Sequence, residues 1–71
     1  MKYLIVIEKT NTGYSAYSPD LPGCVSTGKT REETEQNMQE AIEFHVEGLQ
    51  LAGYPVPEPS SQSAYIEVAA Y

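Results

Sequence analysis

Ten carboxylates, one histidine and one cysteine are the groups of this 71-residue chain that could do chemistry. A metal-dependent nuclease would need several of those carboxylates to converge on two divalent ions about 3.5–4 Å apart. Their spacing offers no such convergence. Glu8 follows an apolar run, Asp20 lies in the stretch Pro19-Asp20-Leu21-Pro22-Gly23, and Glu33, Glu40, Glu43 and Glu47 recur along the outward side of a helical pattern. His45 falls in an apolar helical stripe with no acid or nucleophile placed beside it, so a half-buried histidine using one ring nitrogen is the plainer reading. Cys24 opens a strand-like stretch. It reads as a small apolar core residue, since a reactive thiol would need basic groups nearby. One cysteine precludes an internal disulfide, and a lone His and Cys far apart make a poor ligand set. No catalytic residues, no metal and no cofactor are expected.

That leaves surface for binding. The net charge is −6 with only four basic residues, Lys2, Lys9, Lys29 and Arg31, and the pI is about 4.4. Affinity for nucleic acid draws on Lys and Arg that displace counterions from phosphates, so direct binding of RNA or DNA is not expected. A basic protein partner would be attracted at long range. The same charge also suits solubility alone. No apolar run reaches the roughly 20 residues that span a bilayer. A single thiol without a disulfide framework fits a reducing compartment, so the cytoplasm is expected.

The elements that must position these residues are few. One domain over residues 1–71 is expected, with a core so thin that self-association would add support. Tyr3 to Ile7 is a short, β-branched apolar run, apolar on both faces, which predicts a strand inside the sheet. Asn11-Thr12-Gly13 supplies a turn, with Gly13 free to take positive φ. Tyr14 to Ser18 alternates as a second strand. Pro19 to Gly23 cannot continue a ladder and predicts a stiff, exposed loop. Cys24 to Gly28 follows as a third strand. Thr30 and Glu33 form a capping box for a helix that runs to about Ala52, where Gly53 and Pro55 stop it. Thr34, Met38, Ala41, Ile42, His45, Leu49 and Ala52 fall on its core stripe, and Glu33, Gln36, Glu40, Glu43 and Glu47 on the opposite ridge. Phe44 projects near that ridge, and Leu51 joins it if Gly48 leaves the helix unbroken. Residues 54–63 form a Pro/Ser-rich linker. Ala64 to Ala70 alternates again and predicts a fourth strand, parallel to the first through the helical crossover. The fold class is α+β, in the order βββαβ: one mainly antiparallel sheet with a single helix packed on it.

Two blocks carry a resemblance. The run Gly13-Tyr14-Ser15-Ala16-Tyr17-Ser18-Pro19-Asp20-Leu21-Pro22-Gly23-Cys24-Val25, and the helical run Glu40-Ala41-Ile42-Glu43-Phe44-His45-Val46-Glu47-Gly48-Leu49, together resemble the HicB-like antitoxins of type II toxin–antitoxin systems. The resemblance implies a partial RNase H-like fold. It also implies a non-enzymatic inhibitor of a HicA-type toxin, a small basic ribonuclease with a catalytic histidine. Many members carry a DNA-binding segment after this domain. None follows here, so operator binding is not expected of these 71 residues.

Occlusion of such a toxin points to Tyr17, Asp20, Leu21, Glu40, Phe44 and Glu47 as contact residues: stiff loop, acidic ridge and aromatic anchors. The loop reads equally as a turn that fixes strand register, and the ridge as a solvated face. Tyr65, Glu67 and Tyr71 on the fourth strand are expected at a seam between copies, giving a homodimer or tetramer, because an unprotected edge invites pairing. Two rival readings stay open. One is a homo-oligomeric regulatory module without a toxin. The other is a residual metal-dependent nuclease relying on Asp20.

Overall fold

The computed structural model describes residues 1–70. Three strands precede one helix: β1 Val6–Lys9, β2 Tyr14–Tyr17, β3 Val25–Gly28 and α1 Arg31–Ala52. The sheet has the order β1-β2-β3. Both pairings are antiparallel, with Val6 opposite Tyr17 and Tyr17 opposite Val25. The α+β class, the meander and the single long helix therefore stand as the residue pattern predicts.

The ladder is shorter than the apolar runs because the Pro19–Gly23 loop cuts it. Ser18 leaves the sheet, and its hydroxyl donates to the Leu4 carbonyl at 3.0 Å, capping β1 where a backbone partner is lacking. Ser18 is buried, yet its hydroxyl is satisfied. Inside the loop the chain folds on itself: Leu21 N–H donates to Ser18 O at 3.2 Å and Cys24 N–H to Leu21 O at 3.0 Å. Gly23 takes φ 82°, which a side chain would resist.

Two expectations about strand surroundings are corrected. β1 lies at the edge of the sheet with β2 as its one neighbour. The fourth strand predicted over Ala64–Ala70 has no ladder. The cause is shared: residues 64–70 stand away from β1, so the strand meant to lie inside is left at the rim. Gly13 is also a glycine for a different reason than expected. Positive φ occurs at Gly23 and Gly53, not at Gly13. A Cβ on Gly13 would come within 2.3 Å of the Gly28 carbonyl oxygen, so close backbone approach is what excludes a side chain. The hairpin itself is closed by Thr10, whose N–H donates to Gly13 O at 2.8 Å and whose Oγ1 accepts from Gly13 N at 3.1 Å.

The helix begins as predicted. Thr30 Oγ1 accepts from Glu33 N at 3.0 Å. The return bond of the box goes one residue further back, with Lys29 N–H donating to Glu33 Oε1 at 3.0 Å. At the far end Gly53 N–H reaches Gln50 O at 3.1 Å and Tyr54 N–H reaches Leu49 O at 2.9 Å, a Schellman closure. Gly48 leaves the helix unbroken.

α1 packs on one face of the sheet through Met38 and Thr34, both fully buried. Ala16, Cys24 and Leu21 complete the buried core, with Tyr3, Ile5, Ile7, Ala41, Ile42 and Val46 packed half-buried around it. The predicted stripe thus holds, with Val46 added and Ala52 exposed. Asn37 ties the helix to the sheet, its Nδ2 donating to Thr27 O at 2.8 Å. No helix is long and apolar enough to cross a membrane among the described residues.

Candidate protein-docking surface

The outer side of α1 carries the acidic ridge, and Glu40, Glu43 and Glu47 are all exposed on it. Phe44 stands among them at 80% exposure and Leu51, two turns further on, at 81%. A Phe left in water forgoes roughly 1.5–3 kcal/mol of transfer free energy that burial would supply. The helix could have placed it inward, since the core stripe lies on its other side. Phe44 also borders a shallow depression between the second half of α1 and the start of β3. Gly23, Val25, Ala41, Gly48 and Tyr54 line it beside Phe44 and His45. Gly48, without a side chain, lets the surface dip between Phe44 and Ala52. Tyr54 is 65% exposed on the rim. The arrangement is an apolar patch edged by carboxylates, which suits a partner presenting an apolar side chain among basic ones.

The contact residues named from the sequence do not share one surface. Glu40, Phe44 and Glu47 do. Tyr17 is 41% exposed, but Ala16 beside it is buried against the helix, so strand alternation turns Tyr17 to the opposite face of the sheet. It sits there in a cross-strand row with Val6 and Val25. Leu21 is corrected outright: it is fully buried, a plug that the loop drives into the core. The loop is stiff, but its apolar residue faces inward because the turn from Ser18 to Cys24 wraps around it.

Asp20 is engaged within the chain. Its Oδ2 accepts from the backbone N–H groups of Ser60 at 3.1 Å and Ser61 at 3.0 Å. Its Oδ1 accepts from their hydroxyls at 3.1 and 2.7 Å. Four donors stabilise the charged form, the Ser61 backbone N–H most, and bring the carboxyl from 3.8 to about 2. Asp20 therefore fastens the linker to the loop and is not free to meet a partner's cation. No sequence signal could have paired it with two serines some forty positions away.

His45 is half-buried on the core side, as predicted. Cys24 is a buried free thiol, and burial raises its pKa. Among the described residues no three His, Cys, Asp or Glu side chains gather where they could hold a metal ion. Of the seam residues, Tyr65 is fully exposed and Glu67 exposed; Tyr71 lies outside the described residues. Tyr54 is the residue of the patch that sequence reasoning missed, because only the folded chain brings it to the depression that Phe44 lines.

Comparison with known proteins places the family and the fold. A family model described as "HicB_like antitoxin of bacterial toxin-antitoxin system" matches residues 3–71. A 14.9 kDa protein from the rep–hol intergenic region of Haemophilus phage HP1 is 42% identical over the whole chain, which spans 53% of that relative. A UPF0150 protein of Synechocystis is 46% identical over 79% of this chain and 72% of its own length. One of Thermoplasma acidophilum is 36% identical over 87% and 91%. The chain thus spans about half of the phage relative and most of the other two. Among solved structures, a HicA3–HicB3 toxin–antitoxin complex superposes with TM-score 0.73 at 38% identity, covering 84% of this chain and 70% of that one. The HicB3 antitoxin crystal structure gives TM-score 0.70 at 38% identity, covering 84% and 44%.

Proposed function

The chain belongs to the HicB-like antitoxin family, and from that premise we propose that it binds a small, basic, HicA-type toxin and occludes its RNA-cleaving face. The observation that carries this reading is Phe44, 80% exposed on a helix face of glutamates, beside a depression that Tyr54 also lines. Aromatic groups are enriched where binding energy concentrates, and surrounding charged groups exclude water and steer the encounter. The similar HicB3 structure is one of a toxin–antitoxin complex by its own description, which favours this partner class over others.

The chain acts by covering another protein's chemistry. Its carboxylates are spread along a ridge or tied to serines, so its own contribution is shape and charge. A basic toxin would lose access to RNA when Lys and Arg meant for phosphates face Glu40, Glu43 and Glu47 instead. Glu40, Phe44 and Glu47 form the centre of the surface and Leu51 and Tyr54 its apolar margin. Tyr17 contributes only if the partner reaches round to the other face of the sheet. The cytoplasm, where such a toxin would meet mRNA, is the compartment this reading requires.

The test is to purify the chain with the small basic protein encoded beside it and titrate one into the other at low salt, measuring heat and residual ribonuclease activity. Stoichiometric binding that suppresses cleavage is expected. Absence of a complex at micromolar concentration would defeat the proposal and favour the toxin-free module.

A further inference from the structure

The fold ends with two unsatisfied halves of one interaction. The first is the free edge of β1, flanked by an unfinished core. On the α1 side of that edge a shallow groove runs between Met1, Tyr3 and Ile5 of the N-terminal segment and Ile42 and Val46 of the helix. Met1 is 82% exposed, and Tyr3, Ile5, Ile42 and Val46 are only partly covered although they pack against the buried core. The second half is the C-terminal arm. Ala64, Ile66, Val68 and Ala70 alternate with Tyr65, Glu67 and Ala69, which is the pattern of a half-buried strand. In the isolated chain Ile66 is 82% exposed, Val68 73% and Tyr65 fully exposed. The radius of gyration is 14.2 Å, against about 11 Å for a compact domain of this length.

The root of the arm is fastened. Asp20 holds Ser60 and Ser61 through four hydrogen bonds, and the Tyr3 hydroxyl donates to Pro57 O at 2.5 Å. From that anchor Ser63 to Tyr65 stand across a cleft from Leu4, Val6 and Ile7 of the same chain. The residues beyond lie in solvent. An open cleft thus separates the arm from its own edge.

We propose that the arm, residues 63–70, adds as a fourth strand to the β1 edge of a second copy, reciprocally, so that each copy's Ile66 and Val68 complete the other's core. Backbone pairing satisfies the edge groups of β1, and two-residue alternation places Ile66 and Val68 together in the groove against Ile5 and Ile42. Tyr65 and Glu67 then face the other side, where Leu4 and Val6, which line the cleft, offer apolar cover. One β1 edge and one arm per chain close a twofold pair in which neither β1 edge stays open. The edge lies across the sheet from the Phe44 patch, so the inference does not rest on toxin binding.

The test uses the 71-residue chain. Sedimentation equilibrium from micromolar to millimolar concentration is expected to give twice the 7.8 kDa chain mass. In a sample mixing isotope-labelled and unlabelled chains, filtered NOEs are expected between Ile66 or Val68 methyls of one chain and Ile5 or Ile42 of the other. Ile66→Asp with Val68→Asp is expected to weaken dimerisation by at least roughly a hundredfold while leaving the far-UV circular dichroism unchanged. Three outcomes overturn the inference: a monomer throughout, NOEs that arise only within one chain, or an arm that stays exposed until a basic toxin is added and then becomes protected with the chain still single.

Discussion

The backbone N–H of Ser61 donates to Asp20 Oδ2 at 3.0 Å across 41 positions of sequence. The bond joins the Pro-Asp-Leu-Pro-Gly loop to the linker and makes the loop's acid a fastening. Asp20 titrates at about 2 in the fold, below its ordinary 3.8. A group with a depressed folded pKa contributes stability that is complete above its unfolded value and is lost as pH falls through the folded one. The linker is therefore expected to stay docked at neutral pH and to come free between about pH 4 and 2. Carboxyl ¹³C shifts of Asp20 and amide shifts of Ser60 and Ser61 should titrate together in that window. Titration of Asp20 near 4 with unmoved serine amides would refute the fastening.

Asp20→Ala should release the linker without unfolding the core, because Met38, Leu21 and Ala16 keep their contacts. Hydrogen exchange at Ser60 and Ser61 is expected to rise toward the unprotected rate, with α1 amides unchanged. Loss of α1 protection would show that the loop, and not the linker, depends on Asp20.

Gly13→Ala forces a Cβ to 2.3 Å from Gly28 O. The atoms met are all backbone of Gly28 and Lys29, so the turn must move away from the end of β3. A cost of about 1–3 kcal/mol is expected, and in a domain this small each kcal/mol lowers Tm by about 4–8 °C. A melt within two or three degrees of the parent, roughly the scatter of a neutral surface change, would mean that the turn absorbs the methyl group.

The meander, the helix and its caps were legible because each rests on local chemistry: Thr30 with Glu33, Gly53 after Ala52, prolines that end a ladder. Burial of Cys24 followed from the usual behaviour of a free thiol with no basic groups beside it, and the exposure of Phe44 from helix periodicity. What was not legible depends on which segments meet. Leu21 reads as a loop residue, but its inward turn depends on the bonds from Ser18 to Cys24. Asp20 reads as a free acid until Ser60 and Ser61 arrive from the linker. The Ala64–Ala70 alternation identifies a strand-forming segment and is silent on whose edge it joins. Tyr17 and Phe44 both read as exposed aromatics, and only the packing of Ala16 under α1 separates their faces.

Phe44→Ala should separate folding from binding. The side chain is 80% exposed, so its removal is expected to change stability by no more than about 0.5 kcal/mol. Met38→Ala, at the fully buried centre, should cost about 2–5 kcal/mol. Against a HicA-type toxin the order reverses for Phe44. Its truncation is expected to cost about 2 kcal/mol of binding, roughly thirtyfold in Kd by calorimetry. Unchanged affinity would move the contact surface elsewhere, with Tyr17 and the outer face of the sheet the next place to examine.

Glu40→Lys with Glu47→Lys tests steering by the acidic ridge. Both carboxylates are exposed, and exposed charges act over roughly 8–10 Å at physiological salt. Their reversal should therefore slow association with a basic toxin far more than it speeds dissociation. Stopped-flow rates are expected to fall at least tenfold at low salt and to converge with the parent's as salt rises. The folded state itself should tolerate the change, because neither glutamate has a hydrogen-bonded partner among the described residues whose loss would be felt. An effect confined to the dissociation rate would place these glutamates in tight contact at the centre of the interface and not in its long-range field.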